Sequence, residues 1–257
     1  MSDDEDPQTR PRGVYWLPNL LTTSALFAGF YAIVAAIDLK FENAGIAVLV
    51  AMFFDGLDGR VARWTHTESA FGKEYDSLSD MVSFGLAPAI VTYQWGVARI
   101  AEYGPLWRRL GWVVCFFYAA AAALRLARFN SRSATQDKRY FEGLPSPSAA
   151  AVVAALIWLA SDQTKIGLPG LILAFLVTAS AGALMISRFA FNSFKQVDTG
   201  ARVRFRVILA VLLVFVFVAL HPPIAFLLLF GCYAMSAPAV WLYRKVRRRP
   251  RGAPTPA

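Results

Sequence analysis

The chain of 257 residues is 57% hydrophobic and only 17% charged, short of the roughly one quarter charged residues usual in a soluble domain. Its apolar residues come in runs of about twenty, the length a helix needs to cross a hydrocarbon core. An ordinary soluble domain is thereby excluded, and an all-α integral membrane protein is implied, because a spanning segment must satisfy its own backbone hydrogen bonds. The two cysteines, Cys115 and Cys232, lie in separate apolar runs and offer neither a disulfide framework nor a zinc spacing.

Residues 1–12, MSDDEDPQTRPR, have the charged, Pro-containing make-up of a disordered tail and lack the form of a cleavable signal. Eight membrane helices are predicted after them, near 18–38, 44–64, 76–100, 108–130, 147–163, 168–188, 204–220 and 222–243. The first opens at Pro18-Asn19. The third begins with Asp76 and Asp80 and contains Gly85 and Pro88, which makes it the least regular. Gly143-Leu144-Pro145-Ser146-Pro147 marks a rigid turn before the fifth. The last two helices are separated only by His221 and Pro222, as in a tight hairpin. One membrane domain is expected over 13–245, with a basic, Pro-rich tail at 246–257.

Eight spans put both termini on one side. That side carries Arg60, Arg63, Lys73, Arg125, Arg128, Arg188, Lys195 and the run from Arg244 to Arg251, against Lys40, Arg99, Arg108, Arg109 and Lys165 opposite. The positive-inside rule predicts cytoplasmic termini in a multi-pass plasma (inner) membrane protein. The net charge of +9 is then a topology signal and calls for no nucleic-acid partner. No internal repeat is visible, which weighs against the repeated halves of many transporters.

Charged residues inside spans are costly and point to function. They concentrate between Asp55 and Asp80. Along the second helix Asp55, Asp58, Gly59, Ala62 and Arg63 share one face, and Asp76 and Asp80 stand one turn apart on the third, with Gly72 a turn earlier. A hairpin of these helices gathers four carboxylates, which repel unless cations neutralise them. Carboxylate-only sites suit hard ions such as Mg²⁺ or Mn²⁺, and four carboxylates suffice for two. Gly56, Gly59, Ala62 and Gly72 leave room for a bulky ligand or for close helix packing, and Arg63 offers a forked donor to phosphate. Metal-assisted phosphotransfer fits this set best. The competing class is a cation transporter or channel that uses the aspartates as an ion path.

The pattern D-x2-D-G-x2-A-R-x8-G-x3-D-x3-D is matched at all eight fixed positions over 26 residues, and it resembles that of the CDP-alcohol phosphatidyltransferases. The resemblance implies that Asp55, Asp58 and Asp76 are metal ligands and that Asp80 joins the metal site and acts as general base. It places Gly59, Ala62, Arg63 and Gly72 around the CDP moiety together with Asp58. The Pro18-Asn19-x-x-Thr22 opening is similar to the family's first helix, in which the Asn and Thr face the nucleotide. A homodimer is implied as well, as is a six-helix core, to which this chain adds two C-terminal helices.

Glycerol phosphate, inositol phosphate, serine and choline all serve as acceptors in this family. Arg125-Leu-Ala-Arg128-Phe-Asn130 and Phe141-Glu-Gly143-Leu144-Pro145-Ser146-Pro147 resemble segments of its phosphatidylserine synthases, as does the eight-span layout. The expected reaction is therefore transfer of the phosphatidyl group of CDP-diacylglycerol to L-serine, with release of CMP. Serine's carboxylate needs a cation, which Arg125 or Arg128 can supply; the alternative is that both arginines are interfacial anchors. Asn130 and Ser146 are further candidates for the headgroup, with Arg188 and Lys195 behind them. His66 is assigned no role.

Overall fold

The computed structural model describes residues 16–132, 140–161, 166–192 and 205–247. Lys195, the tail at 1–12 and all but the first two residues of 246–257 lie outside them. Eight helices account for nearly all of the described chain: α1 Trp16–Ile37, α2 Phe41–Thr65, α3 spanning 70–101, α4 Pro105–Arg132, α5 Ser146–Ser161, α6 Leu168–Ile186, α7 Phe205–Leu220 and α8 Pro222–Arg247. Each predicted segment is helical, in the predicted order. The largest difference is at α3, which begins at Ala70, where the third span was expected from 76. The polar first turns of α3 hide this extension from hydropathy. Four helices, α1, α4, α6 and α8, are long and apolar enough to cross a membrane on length and composition alone. Helices α2 and α3 carry the site's charged and polar residues, and α5 and α7 are shorter.

Each turn has a local cause. Pro18 sits in the first turn of α1, where its missing N–H costs no helical bond. Helix α2 ends at His66, which adopts the left-handed conformation (φ 53°), and the Thr67 N–H returns to the Ala62 carbonyl. Ser69 caps α3, its hydroxyl accepting from the Gly72 N–H at 2.9 Å.

Helix α3 is interrupted by two π turns, Met81–Leu86 and Tyr93–Val97. Pro88 has no N–H for the carbonyl four residues back, that of Phe84. The buried Tyr118 hydroxyl of α4 donates to that carbonyl instead, at 3.1 Å.

The core consists of small residues between helices. Ala32, Ala36, Ala44, Val48 and Ala51 bring α1 and α2 together along their length, and a Cβ on Gly45 would stand 2.9 Å from the Trp158 Cβ of α5. A short ribbon, β1 Tyr140–Glu142 and β2 Ala190–Asn192, pairs antiparallel with Phe141 opposite Phe191. It ties the α4–α5 connection to the end of α6. Gly143 (φ +80°) follows it, where a Cβ would lie 2.3 Å from the Met185 carbonyl oxygen, so only glycine fits. At the opposite end, Arg99 packs over the rings of Phe41 and Trp95 and donates to the Trp95 carbonyl.

Candidate active site

The start of α1, the end of α2, the start of α3, the end of α4, the start of α5 and the end of α6 meet at one end of the bundle. Side-chain bonds make this explicit. Arg125 reaches Ser146, Arg128 reaches the Ile186 carbonyl, and Asn130 reaches Ser77. The described basic residues Arg60, Arg63, Lys73, Arg125, Arg128 and Arg188 belong to this end, and Lys40, Arg99, Arg108 and Arg109 to the other.

Here α2 and α3 bring together the carboxylates that the sequence motif singles out. One oxygen each from Asp55, Asp76 and Asp80 lie within 4.8 Å of one another, and the carboxyls of Asp55 and Asp80 are within hydrogen-bonding reach. Asp58 stands one turn further along α2, buried, its Oδ2 accepting from the Thr22 hydroxyl at 2.6 Å. Among the described residues, none of the four is neutralised by an ion pair with lysine or arginine. Asp76 Oδ1 is buried without a hydrogen-bond partner. Three converging carboxylates, one with an orphaned oxygen, are unfavourable in an apolar surround unless a cation joins them. The donor set is all hard oxygen, so the residues fit Mg²⁺ or Mn²⁺.

The space beside the cluster is open. A Cβ on Gly56 would meet nothing within 4 Å, and one on Gly59 only the Arg63 Nη1 at 3.6 Å. Gly72 is tighter, since a Cβ there would stand 3.1 Å from the Ser69 Oγ of its own cap and 3.5 Å from the Asn19 Oδ1. Thr22, expected at the nucleotide, is buried, its hydroxyl proton directed to Asp58 Oδ2 at 2.6 Å with the Pro18 carbonyl 3.1 Å away.

The acceptor candidates separate. The Arg125 Nη1 donates to Ser146 Oγ at 2.8 Å, its Nε is buried without a partner, and it lies within electrostatic reach of Asp80 and Asp55. Arg128 and Asn130 instead donate to the Ile186 carbonyl at 3.1 Å and to Ser77 Oγ at 2.9 Å, and so tie α4 to α6 and α3. Sequence reasoning missed Ser79, Ser83 and Tyr118, all of them buried hydroxyls on helices that form the site. The signal was present for the serines, which share the four-residue spacing of the aspartates three positions before them.

Comparison with known proteins points to one family. The family model described as CDP-alcohol phosphatidyltransferase matches residues 15–187. A CDP-diacylglycerol--serine O-phosphatidyltransferase of Helicobacter pylori (strain J99) is 36% identical over 238 residues, covering 91% of this chain and 94% of that protein. The enzyme of the same name from Saccharomyces cerevisiae is 35% identical over 146 residues, covering 51% of this chain and 50% of its own. An archaetidylserine synthase of Methanothermobacter thermautotrophicus is 38% identical over 141 residues, covering 54% of this chain and 56% of its own.

Proposed function

The chain belongs to the CDP-alcohol phosphatidyltransferase family, and from that premise we propose that it transfers the phosphatidyl group of CDP-diacylglycerol to L-serine. The relatives named for serine transfer support the acceptor. The observation that carries the reading within this molecule is Arg125, held by Ser146 beside the aspartate cluster with its Nε free. A partly buried guanidinium with an unused donor next to a phosphotransfer site is a natural partner for a small carboxylate.

In this reading Asp55, Asp76 and Asp80 would hold divalent metal, with Asp58 alongside. Two ions are expected. Metal bound there would supply charge neutralisation for the diphosphate and the departing CMP. Gly59, Ala62 and Arg63 of α2, with Asn19 and Gly72, border the space for the nucleotide. Arg125 and Ser146 orient serine by its carboxylate. Asp80 accepts the serine hydroxyl proton as that oxygen bonds to the phosphorus carrying the diacylglycerol. The bond between this phosphorus and the bridging oxygen breaks, and CMP leaves with its electron pair. No covalent enzyme intermediate is required. The basic residues gathered at the site's end of the bundle support a cytoplasmic site, and a plasma membrane location and, on family grounds, a homodimer are part of the proposal.

The test is a panel of acceptor alcohols assayed for CMP release in CDP-diacylglycerol micelles. L-Serine is expected to be preferred, and Arg125→Met to raise its KM about 10- to 100-fold while leaving the KM for CDP-diacylglycerol near normal. Preference for glycerol 3-phosphate or inositol phosphate would overturn serine as acceptor and leave the family assignment standing.

A further inference from the structure

Most intrahelical hydroxyls in this protein bond locally. Thr23, Ser24, Thr65, Ser77, Thr92 and Thr178 each donate to the carbonyl four residues earlier in their own helix, the usual resort of such side chains. Ser79 and Ser83 do not. The Ser79 hydroxyl donates to the Thr22 carbonyl at 3.2 Å and the Ser83 hydroxyl to the Ala25 carbonyl at 3.1 Å, both across the interface from α3 to α1. Both serines are buried, at 3% and 0% exposure. Helical carbonyls have a second lone pair for such a bond, so α1 loses nothing of its own ladder.

Two further contacts make this pair more than packing. One turn beyond Ala25, a Cβ on Gly29 would lie 2.4 Å from Ser83 Oγ and 2.7 Å from its Cα, so the two backbones approach at a point only glycine allows. At the other end, Thr22 serves two helices at once. Its carbonyl receives Ser79 of α3 and its hydroxyl donates to Asp58 of α2. Helix α1 is thus bonded to both carboxylate-bearing helices at a single residue.

On α3 the stripe of Ser79 and Ser83 lies beside that of Asp76 and Asp80, displaced by three residues along one helix. Whatever sets the height and rotation of the serines sets those of the aspartates. We propose that Ser79 and Ser83 are positioning residues. Their bonds to α1 fix the register of α3 against α2, so that the Asp76 and Asp80 carboxylates converge with Asp55. Metal sites tolerate errors of only about 0.2 Å in ligand distance, whereas a slip of one residue along a helix moves it about 1.5 Å. The inference rests on reading the aspartate cluster as a metal site, and its test separates the two claims.

The experiment is Mn²⁺ binding to the detergent-purified full chain without substrates, read by loss of the free-ion electron paramagnetic resonance signal. Wild type, Asp76→Asn, Ser79→Ala, Ser83→Ala, the double serine variant and Thr178→Ala are compared. Thr178→Ala removes a buried hydroxyl that bonds only within α6 and serves as the control for general destabilisation. Binding by wild type and its loss in Asp76→Asn are expected. The double serine variant should bind about 10- to 100-fold more weakly, the usual effect of removing groups that orient metal ligands, and Thr178→Ala should bind as wild type. Should the double variant not fold, each single variant carries the same test, with about threefold to tenfold weakening expected. Wild-type affinity in the serine variants, or equal weakening in Thr178→Ala, would overturn the positioning role. Failure of wild type to bind, or undiminished binding by Asp76→Asn, would overturn the metal site itself.

Discussion

The two ends of the chain are built on different principles. Helices α1–α3 are joined by bonds between helices, from Thr22 to Asp58, Ser79 to Thr22 and Ser83 to Ala25, and by the hydroxyl pair of Thr23 and Tyr75. Helix α7 packs on α8 and turns Val211, Leu213, Phe215 and Leu220 outward, each more than 60% exposed. Apolar contact in lipid gives little preference for one register over another, because lipid tails are as apolar as the side chains they replace. Hydrogen bonds specify one. The directed bonds occur where carboxylates must converge, and the helix without such demands presents an exposed apolar face.

Mutation can break this contrast. The largest effect is expected from Asp80→Asn, which keeps the shape and size of the side chain but cannot accept the serine proton. Turnover should fall by about 10²- to 10⁴-fold while CDP-diacylglycerol still binds, as read by isothermal titration beside the rate assay. Near-normal turnover would remove the general base. The smallest effect is expected at the other region, where Phe215→Ala on the outer face of α7 should change turnover less than about twofold and thermal stability only slightly. A large loss there would show that α7 is coupled to the site.

Much of the site was legible in the sequence because helical spacing is rigid. Asp55 with Asp58 and Asp76 with Asp80 had to share faces, and the costs of charge in a membrane said those faces must meet around a cation. Periodicity does not reveal which partner a side chain selects. Asp58 shared the face of Asp55, yet its carboxylate is bonded to Thr22 and stands beside the triad of Asp55, Asp76 and Asp80. Arg125 and Arg128 were equivalent by spacing and are distinguished only by what α5 and α6 place opposite them. The interruption of α3 was marked by Gly85 and Pro88, but the answering donor, Tyr118, comes from another helix with no motif to announce it. The ribbon of 140–142 and 190–192 joins segments too short to signal strands on their own.

The central claim is that the carboxylate cluster works through divalent metal to move a phosphatidyl group onto serine. Its most direct test follows CMP release from CDP-diacylglycerol and L-serine while the divalent cation is removed with EDTA and returned as excess Mn²⁺. Release should stop on chelation and resume on Mn²⁺ addition. CMP release that continues undiminished under EDTA would contradict the claim.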